Sequence, residues 1–269
     1  MNPLVDLAAH PVIAHRGSSA EAPENTLPAF QAAAQCGADA IELDVRLTAD
    51  GAPVVIHDAT LDRTTDRGGP VSAQTLAHLR SVDAGWRFTR DSGQSYPFRG
   101  RDARIPTLGE VLWTFPRMAV LVEIKEPEAH DAVRRVLLQE GAAERCVVAS
   151  EHQEALRGFD EPPFVRGASA PEISALYWAV VLRRRPQEVR YRCLSVPERY
   201  RGLPVPTRGF LAAARARGCP VHVWTVDSPD TARKLWRRGV AGVVTNVPER
   251  IVEAKGPTQP KAGTVNGER

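Results

Sequence analysis

Eight short apolar runs recur along the chain, and most are followed by a stretch with helical spacing. The runs are PVIAH (11–15), AIELDV (40–45), AVLVEI (119–124), CVVAS (146–150), FVRGA (164–168), RCLSV (192–196), VHVWTV (221–226) and GVVTN (242–246). They are mostly continuous rather than alternating, the pattern of parallel strands buried on both faces. The helical stretches between them include NTLPAFQAAAQCG, PEAHDAVRRVLLQEG, PEISALYWAVVLRRR, TRGFLAAARARG and SPDTARKLWRRG. Several open on Asn, Thr or Ser and close on Gly, as capped helices do. Eight such units predict an α/β chain closed into a (β/α)8 TIM barrel. A doubly wound open sheet is the alternative, and the lack of GxGxxG after the first run counts against its dinucleotide-binding form.

At 269 residues and 43% hydrophobic, the chain can fill one such barrel. A single domain is expected over 1–255, followed by a disordered Gly, Pro and polar tail over 256–269. The rhythm breaks over 60–105, a Gly-, Asp- and Arg-rich stretch too long for a simple connection. It is expected to be a small insertion after the second strand, rimming one mouth of the barrel.

The formal charge of +3 is slight for this length, and basic residues are interspersed with acids, so no nucleic-acid partner is expected. The RRR at 183–185 reads as a solvated helix end. Cys36, Cys146, Cys193 and Cys219 form no CxxC pair and read as small buried residues in a reducing compartment. No leader is recognisable, and the longest apolar run, ISALYWAVVL, is half the roughly 20 residues of a membrane span. The expectation is a cytoplasmic protein with no transmembrane segment, in which Tyr177 and Trp178 belong to a buried helix face.

Barrel enzymes carry their chemistry at the carboxyl ends of the strands. His15, Glu42, Asp44, Glu123, Lys125 and Trp224 all fall at such ends. Residues two apart in a strand share a face, so Glu42 points with Asp44, and Glu123 with Lys125. Any one acid could pair with an arginine, but three converging carboxylates suit one hard divalent cation, Mg²⁺ or Ca²⁺. The chain uses four lysines against 31 arginines, which singles out Lys125 beside Glu123 as a place where a compact ammonium is wanted. His57 ends another short apolar run, and with His15 it could divide general base and general acid duties. Arg16 and Lys125 beside a cation are equipment for holding a phosphate.

The segments AHRG (14–17), PENT (23–26), GADAIELDV (37–45), VVIHD (54–58), LDRTT (61–65), IPTLGEVL (105–112), VEIK (122–125), HVWTV (222–226) and GVVTN (242–246) stand in one order and spacing. Through them the chain resembles the glycerophosphodiester phosphodiesterase family from about residue 11 to about 251. The resemblance implies His15 and His57 as the catalytic pair and Glu42, Asp44 and Glu123 as holders of one divalent cation. It also implies Arg16 and Lys125 on the phosphate and Trp224 against the glycerol. The implied reaction is metal-dependent hydrolysis of a small glycerophosphodiester to sn-glycerol 3-phosphate and an alcohol. Lysophospholipase D-like hydrolysis is one alternative, which would need an apolar lip where the insertion offers Trp86, Phe88, Tyr96 and Phe98. A non-catalytic glycerophosphodiester-binding barrel is the other. Glu151 and His152 depart from the family pattern and bear on substrate preference. Glu24 and Asn25 are expected near the barrel mouth, Asn25 capping the first helix and Glu24 meeting the cation's water shell or Arg16, and His222 is expected to be a packed core residue.

Overall fold

The computed structural model describes residues 2–184 and 189–256. The expected tail therefore lies almost wholly outside the described residues, as does Arg185 of the RRR run.

Strands β1 (Val12–His15), β2 (Ala40–Leu47), β3 (Pro53–Val55), β4 (Ala119–Ile124), β5 (Cys146–Ala149), β6 (Leu194–Pro197), β7 (Arg199–Tyr200), β8 (Leu203–Pro204), β9 (Val221–Trp224) and β10 (Gly242–Thr245) follow one another along the chain. Parallel pairing runs β5-β4-β2-β1-β10-β9-β6. The remaining gap, between β5 and β6, is spanned by the expected strand at 164–168. It forms single parallel bridges, Arg166 to Val148 and Gly167 to Cys193, rather than a ladder. Its backbone still bonds to both neighbours, Gly167 N–H to Val148 at 2.8 Å and Ala168 N–H to Cys193 at 3.0 Å, while the Arg166 guanidinium pairs with Asp160 at 2.6 Å and Glu172 at 2.8 Å. The result is the expected (β/α)8 barrel.

Helices α1 (Leu27–Gln35), α2 (Leu76–Leu79), α3 (Leu108–Thr114), α4 (His130–Gln139), α5 (Ala170–Val181), α6 (Arg208–Arg215), α7 (Pro229–Arg238) and α8 (Pro248–Lys255), with four short 3-10 helices, complete the described elements. Their starts follow local chemistry, with capping boxes at Thr107 and Ser169 and side-chain caps from Thr207 and Ser228. α1 differs from expectation. Thr26 holds its cap position, while Asn25 takes a left-handed φ of 58° and turns into the barrel mouth. α5 differs too, because Trp178, Val181 and Leu182 face solvent.

Alternation along the strands sorts the core. Ile41, Leu43 and Val45 face the helices with Val120, Val122 and Ile124. Ala40, Ala119, Leu121, Ile13, Val147, Cys193 and Val244 fill the barrel's interior, where Leu4 plugs the amino-terminal end. His222 joins this interior as a buried residue, as expected, its Nε2–H donating to the Leu4 carbonyl at 2.8 Å. Nδ1 therefore carries the lone pair. It packs so close to Gly242 that a Cβ there would lie 2.5 Å away.

Burial pushes the His222 pKa down to about 4. An unfolded chain takes up that proton near pH 6.5, whereas the fold resists until about pH 4, so stability falls as pH drops through this window. The difference amounts to about 3 kcal/mol. A His222→Leu variant is expected to lose less stability than the parent between pH 8 and pH 4 in urea titrations. Identical pH profiles would contradict this account.

The insertion follows a β2–β3 hairpin rather than leaving β2 directly, with Val45 opposite Val55. It has a core of its own, including Leu61, Val71, Leu79 and Val82. Its aromatic groups pack on one another: Phe88 meets Phe98 edge to face at 5.3 Å, and Arg99 lies over Tyr96 and Trp86.

Candidate active site

The interior changes character one layer above the apolar plug. Register places His15 beside Glu42 and Asp44 beside Glu123, so four polar side chains replace the Ile13, Ala40 and Ala119 layer. One ligand oxygen from each of Glu42, Asp44 and Glu123 lies within 4.8 Å of the others. Burial, then the charges of Asp44 and Glu123, raise the Glu42 carboxyl well above the usual carboxylate range. Burial likewise raises Glu123, although Lys125 opposes it. At Asp44 burial is outweighed by Lys125 and Arg16, and its pKa falls.

Two cations serve this acidic cluster. Lys125 Nζ reaches Asp44 at 2.9 Å and Glu123 at 2.7 Å, which accounts for a lysine at this position. Arg16 Nε lies 3.1 Å from Asp44, and its Nη1 donates to Glu24 at 2.8 Å. Glu24 thus takes the arginine-facing role of its two expected ones. Glu42 is left with a backbone donor, the Arg16 N–H at 2.9 Å. A buried carboxylate close to two others, held by a peptide N–H and paired with no side-chain cation among the described residues, suits a cation ligand. The all-oxygen donor set fits a hard divalent ion.

The backbone after β1 is shaped to this end. Arg16 and Gly17 both have positive φ, 57° and 84°. A Cβ at Gly17 would lie 2.6 Å from the Ala29 backbone, so only glycine lets the chain pass α1 here. Asn25, expected as a cap, instead donates its amide to Asp44 at 2.8 Å.

The two histidines have different supports. His15 Nδ1 donates to Asn246 Oδ1 at 2.7 Å, and Asn246 Nδ2 donates in turn to Asp227 at 2.8 Å. Burial first, then the Arg16 charge, lower the His15 pKa. His57 Nδ1 donates instead to the Asp58 carboxylate at 2.6 Å. Hydrogen bonding from Arg63, with a further bond from His57, holds Asp58 down at about 2 against the effect of burial. Arg63 also grips Glu24 through two bonds of 2.7 Å, tying the insertion to Arg16 and the acidic layer. Trp224 stands at the carboxyl end of β9, partly exposed, while Glu151 and His152 are exposed.

The structure thus assembles Glu42, Asp44, Glu123, Lys125 and Arg16 into one network, with His15 in the same layer and His57 joined through Asp58, Arg63 and Glu24. Sequence reasoning assigned no role to Asn246, Asp58, Arg63 or Asp227. The first three lie inside GVVTN, VVIHD and LDRTT; Asn246, a polar residue directly after β10, carried a signal, while Asp58 and Arg63 lie in the loop beyond β3 and carried none.

A parallel barrel with a cation-ready acidic layer, two imidazoles and two phosphate-sized cations at its carboxyl mouth has the construction of a phosphoryl-handling barrel enzyme. The sequence matches the model of the Glycerophosphoryl diester phosphodiesterase family over residues 15–250, and the chain belongs to that family. A glycerophosphodiester phosphodiesterase of Caldanaerobacter subterraneus subsp. tengcongensis is 34% identical over 248 residues, 90% of this chain and 96% of that protein. A glycerophosphodiester phosphodiesterase of Bacillus subtilis is 28% identical over 259 residues, 90% of this chain and 85% of that one. Among solved structures, a glycerophosphoryl diester phosphodiesterase domain from Mycobacterium tuberculosis superposes with a TM-score of 0.83. That pair shares 24% identity over 91% of this chain and 99% of the domain, a likeness of fold. An Oleispira antarctica phosphodiesterase in complex with the product sn-glycerol-3-phosphate gives 0.72 at 28% identity, covering 92% of this chain and 97% of that one.

Proposed function

We propose that this one-domain barrel hydrolyses glycerophosphodiesters to sn-glycerol 3-phosphate and an alcohol, with one divalent cation, Mg²⁺ or Ca²⁺, held by Glu42, Asp44 and Glu123. The observation that carries the reading is the buried three-carboxylate layer flanked by His15, Arg16 and Lys125. The Oleispira relative's bound product supports the substrate class. When bound, the ion supplies positive charge against the phosphoryl oxygens.

The chain's own residues divide the rest. Arg16 and Lys125 bind the phosphate, and Trp224 lines the mouth against the glycerol. With Nδ1 donating to the neutral Asn246 amide, His15 keeps a lone pair on Nε2. It acts as general base, taking the proton from the attacking oxygen. His57 has a carboxylate behind Nδ1, which balances the ring's charge while Nε2 carries the proton for the leaving alcohol. Asp58 and Asn246 are positioning residues. A proton-transfer pair with separate supports favours catalysis over simple binding. The four free cysteines support a reducing, cytoplasmic setting. Among the described residues, no helix is long and apolar enough to cross a membrane.

The test is release of sn-glycerol 3-phosphate from glycerophosphocholine with Mg²⁺ or Ca²⁺ supplied. A chain that leaves the diester intact with either ion overturns the reading.

A further inference from the structure

α5 and the β7–β8 hairpin both expose apolar side chains that the site does not use. The outward stripe of α5 is Pro171, Ser174, Ala175, Trp178 and Val181, continued by the C-cap Leu182, with no charged residue among them. Neighbouring α6 and α7, by contrast, turn Arg208, Arg215, Arg233 and Arg237 to solvent. Trp178 is 52% exposed and Leu182 56%.

The hairpin adds to this face. Arg201 and Gly202 have φ of 48° and 84°, the two-residue turn that matches strand twist. Tyr200 and Leu203 are directly paired across it and so project from the same side. They are 60% and 51% exposed. The two parts are joined through α6, which starts just after β8. The Tyr177 and Phe210 ring centroids lie 6.4 Å apart, tilted by 48°, and a Cβ at Gly209 would touch Val180 at 3.0 Å.

Charge frames the apolar groups. Arg183 and Arg184 follow the stripe, and Arg199 and Arg201 flank Tyr200, all four exposed. Glu198 is an exposed acid beside Arg199. Aromatic and aliphatic side chains bordered by arginines suit the headgroup region of an anionic bilayer, where rings and guanidinium stems sit at the interface. The hairpin also rises directly after Pro197, which pairs with Trp224 at the barrel mouth.

We propose that α5 and the β7–β8 hairpin form a peripheral docking surface for anionic lipid membranes, setting the barrel mouth beside the bilayer. The orientation deepens the phosphodiesterase reading by favouring diesters released at, or held in, a lipid surface.

Flotation with vesicles tests it without turnover. The full chain is expected to float with phosphatidylcholine–phosphatidylglycerol vesicles and not with phosphatidylcholine alone, and to be released by salt. Trp178→Ser with Tyr200→Ser is expected to weaken binding at least about tenfold, as is Arg183→Gln with Arg184→Gln. Hydrolysis of soluble glycerophosphocholine should stay unchanged in both pairs, which also certifies their folding. Should the parent be inactive, retained circular dichroism and melting temperature certify it instead, so the two readings fail separately. No flotation, or flotation unaltered in both pairs, overturns the proposal. A parent dimer that the apolar pair converts to monomer, without vesicle binding, overturns it in favour of a self-interface.

Discussion

Replacing His57 with alanine is expected to lower kcat for glycerophosphocholine by about 10²–10⁴-fold, the range of a positioned general acid. The substitution leaves the acidic layer and its two cations intact, so ion binding and the melting temperature should persist. The histidine is partly exposed and, among the described residues, its ring is tied to the fold through Asp58. A leaving group of low pKa, such as p-nitrophenol, needs no proton and should recover most of the lost rate. His15→Ala should show no such recovery, since a base is wanted whatever leaves. Steady-state kinetics with both substrates separates the two roles. Equal losses on both substrates for His57→Ala would contradict the assignment of acid and base.

The second large effect is expected at Glu42. Glu42→Gln keeps an oxygen for the Arg16 N–H but removes a buried ionisable carboxyl close to those of Asp44 and Glu123. Activity should fall at least about 10³-fold, the loss of roughly 4 kcal/mol of transition-state stabilisation. Affinity for Mg²⁺ or Ca²⁺, read by calorimetry, should fall with it. The ion-free protein, however, should become more stable at neutral pH, because the cost of burying Glu42 beside Asp44 and Glu123, which Arg16 and Lys125 offset only in part, is removed. About 1 kcal/mol would raise Tm by roughly 2–4 °C in a chain of this length. A ligand whose loss stabilises the empty fold is held for function. A Glu42→Gln variant that is less stable and still binds the ion would show that the residue is structural.

These effects rest on side chains whose faces the strands dictate, and this is why they were legible in the sequence. Period-two alternation alone sets Glu42 with Asp44, and placing them at a strand end puts them at the barrel's mouth. Lys125 stood out because arginine is the chain's habitual cation. The supports of the two histidines were not legible. Asn246 reaches His15 because β10 lies beside β1, a pairing that closure of the barrel creates across most of the chain's length. Arg63 meets Glu24 only because the insertion folds back over the first loop. Asn25 misled because its residue type suits a helix cap, but the same side chain also tolerates the left-handed conformation that turns it to Asp44. The stripe on α5 was misjudged for a related reason. Apolar periodicity on both faces of a helix predicts burial, and nothing local marks the face that the barrel leaves uncovered.

The most direct measurement is release of sn-glycerol 3-phosphate from glycerophosphocholine by protein stripped with a chelator and then titrated with Mg²⁺ or Ca²⁺. The account predicts no turnover when stripped, full recovery as one ion binds per chain, and no recovery in Glu42→Gln. Undiminished turnover by the stripped protein would contradict it.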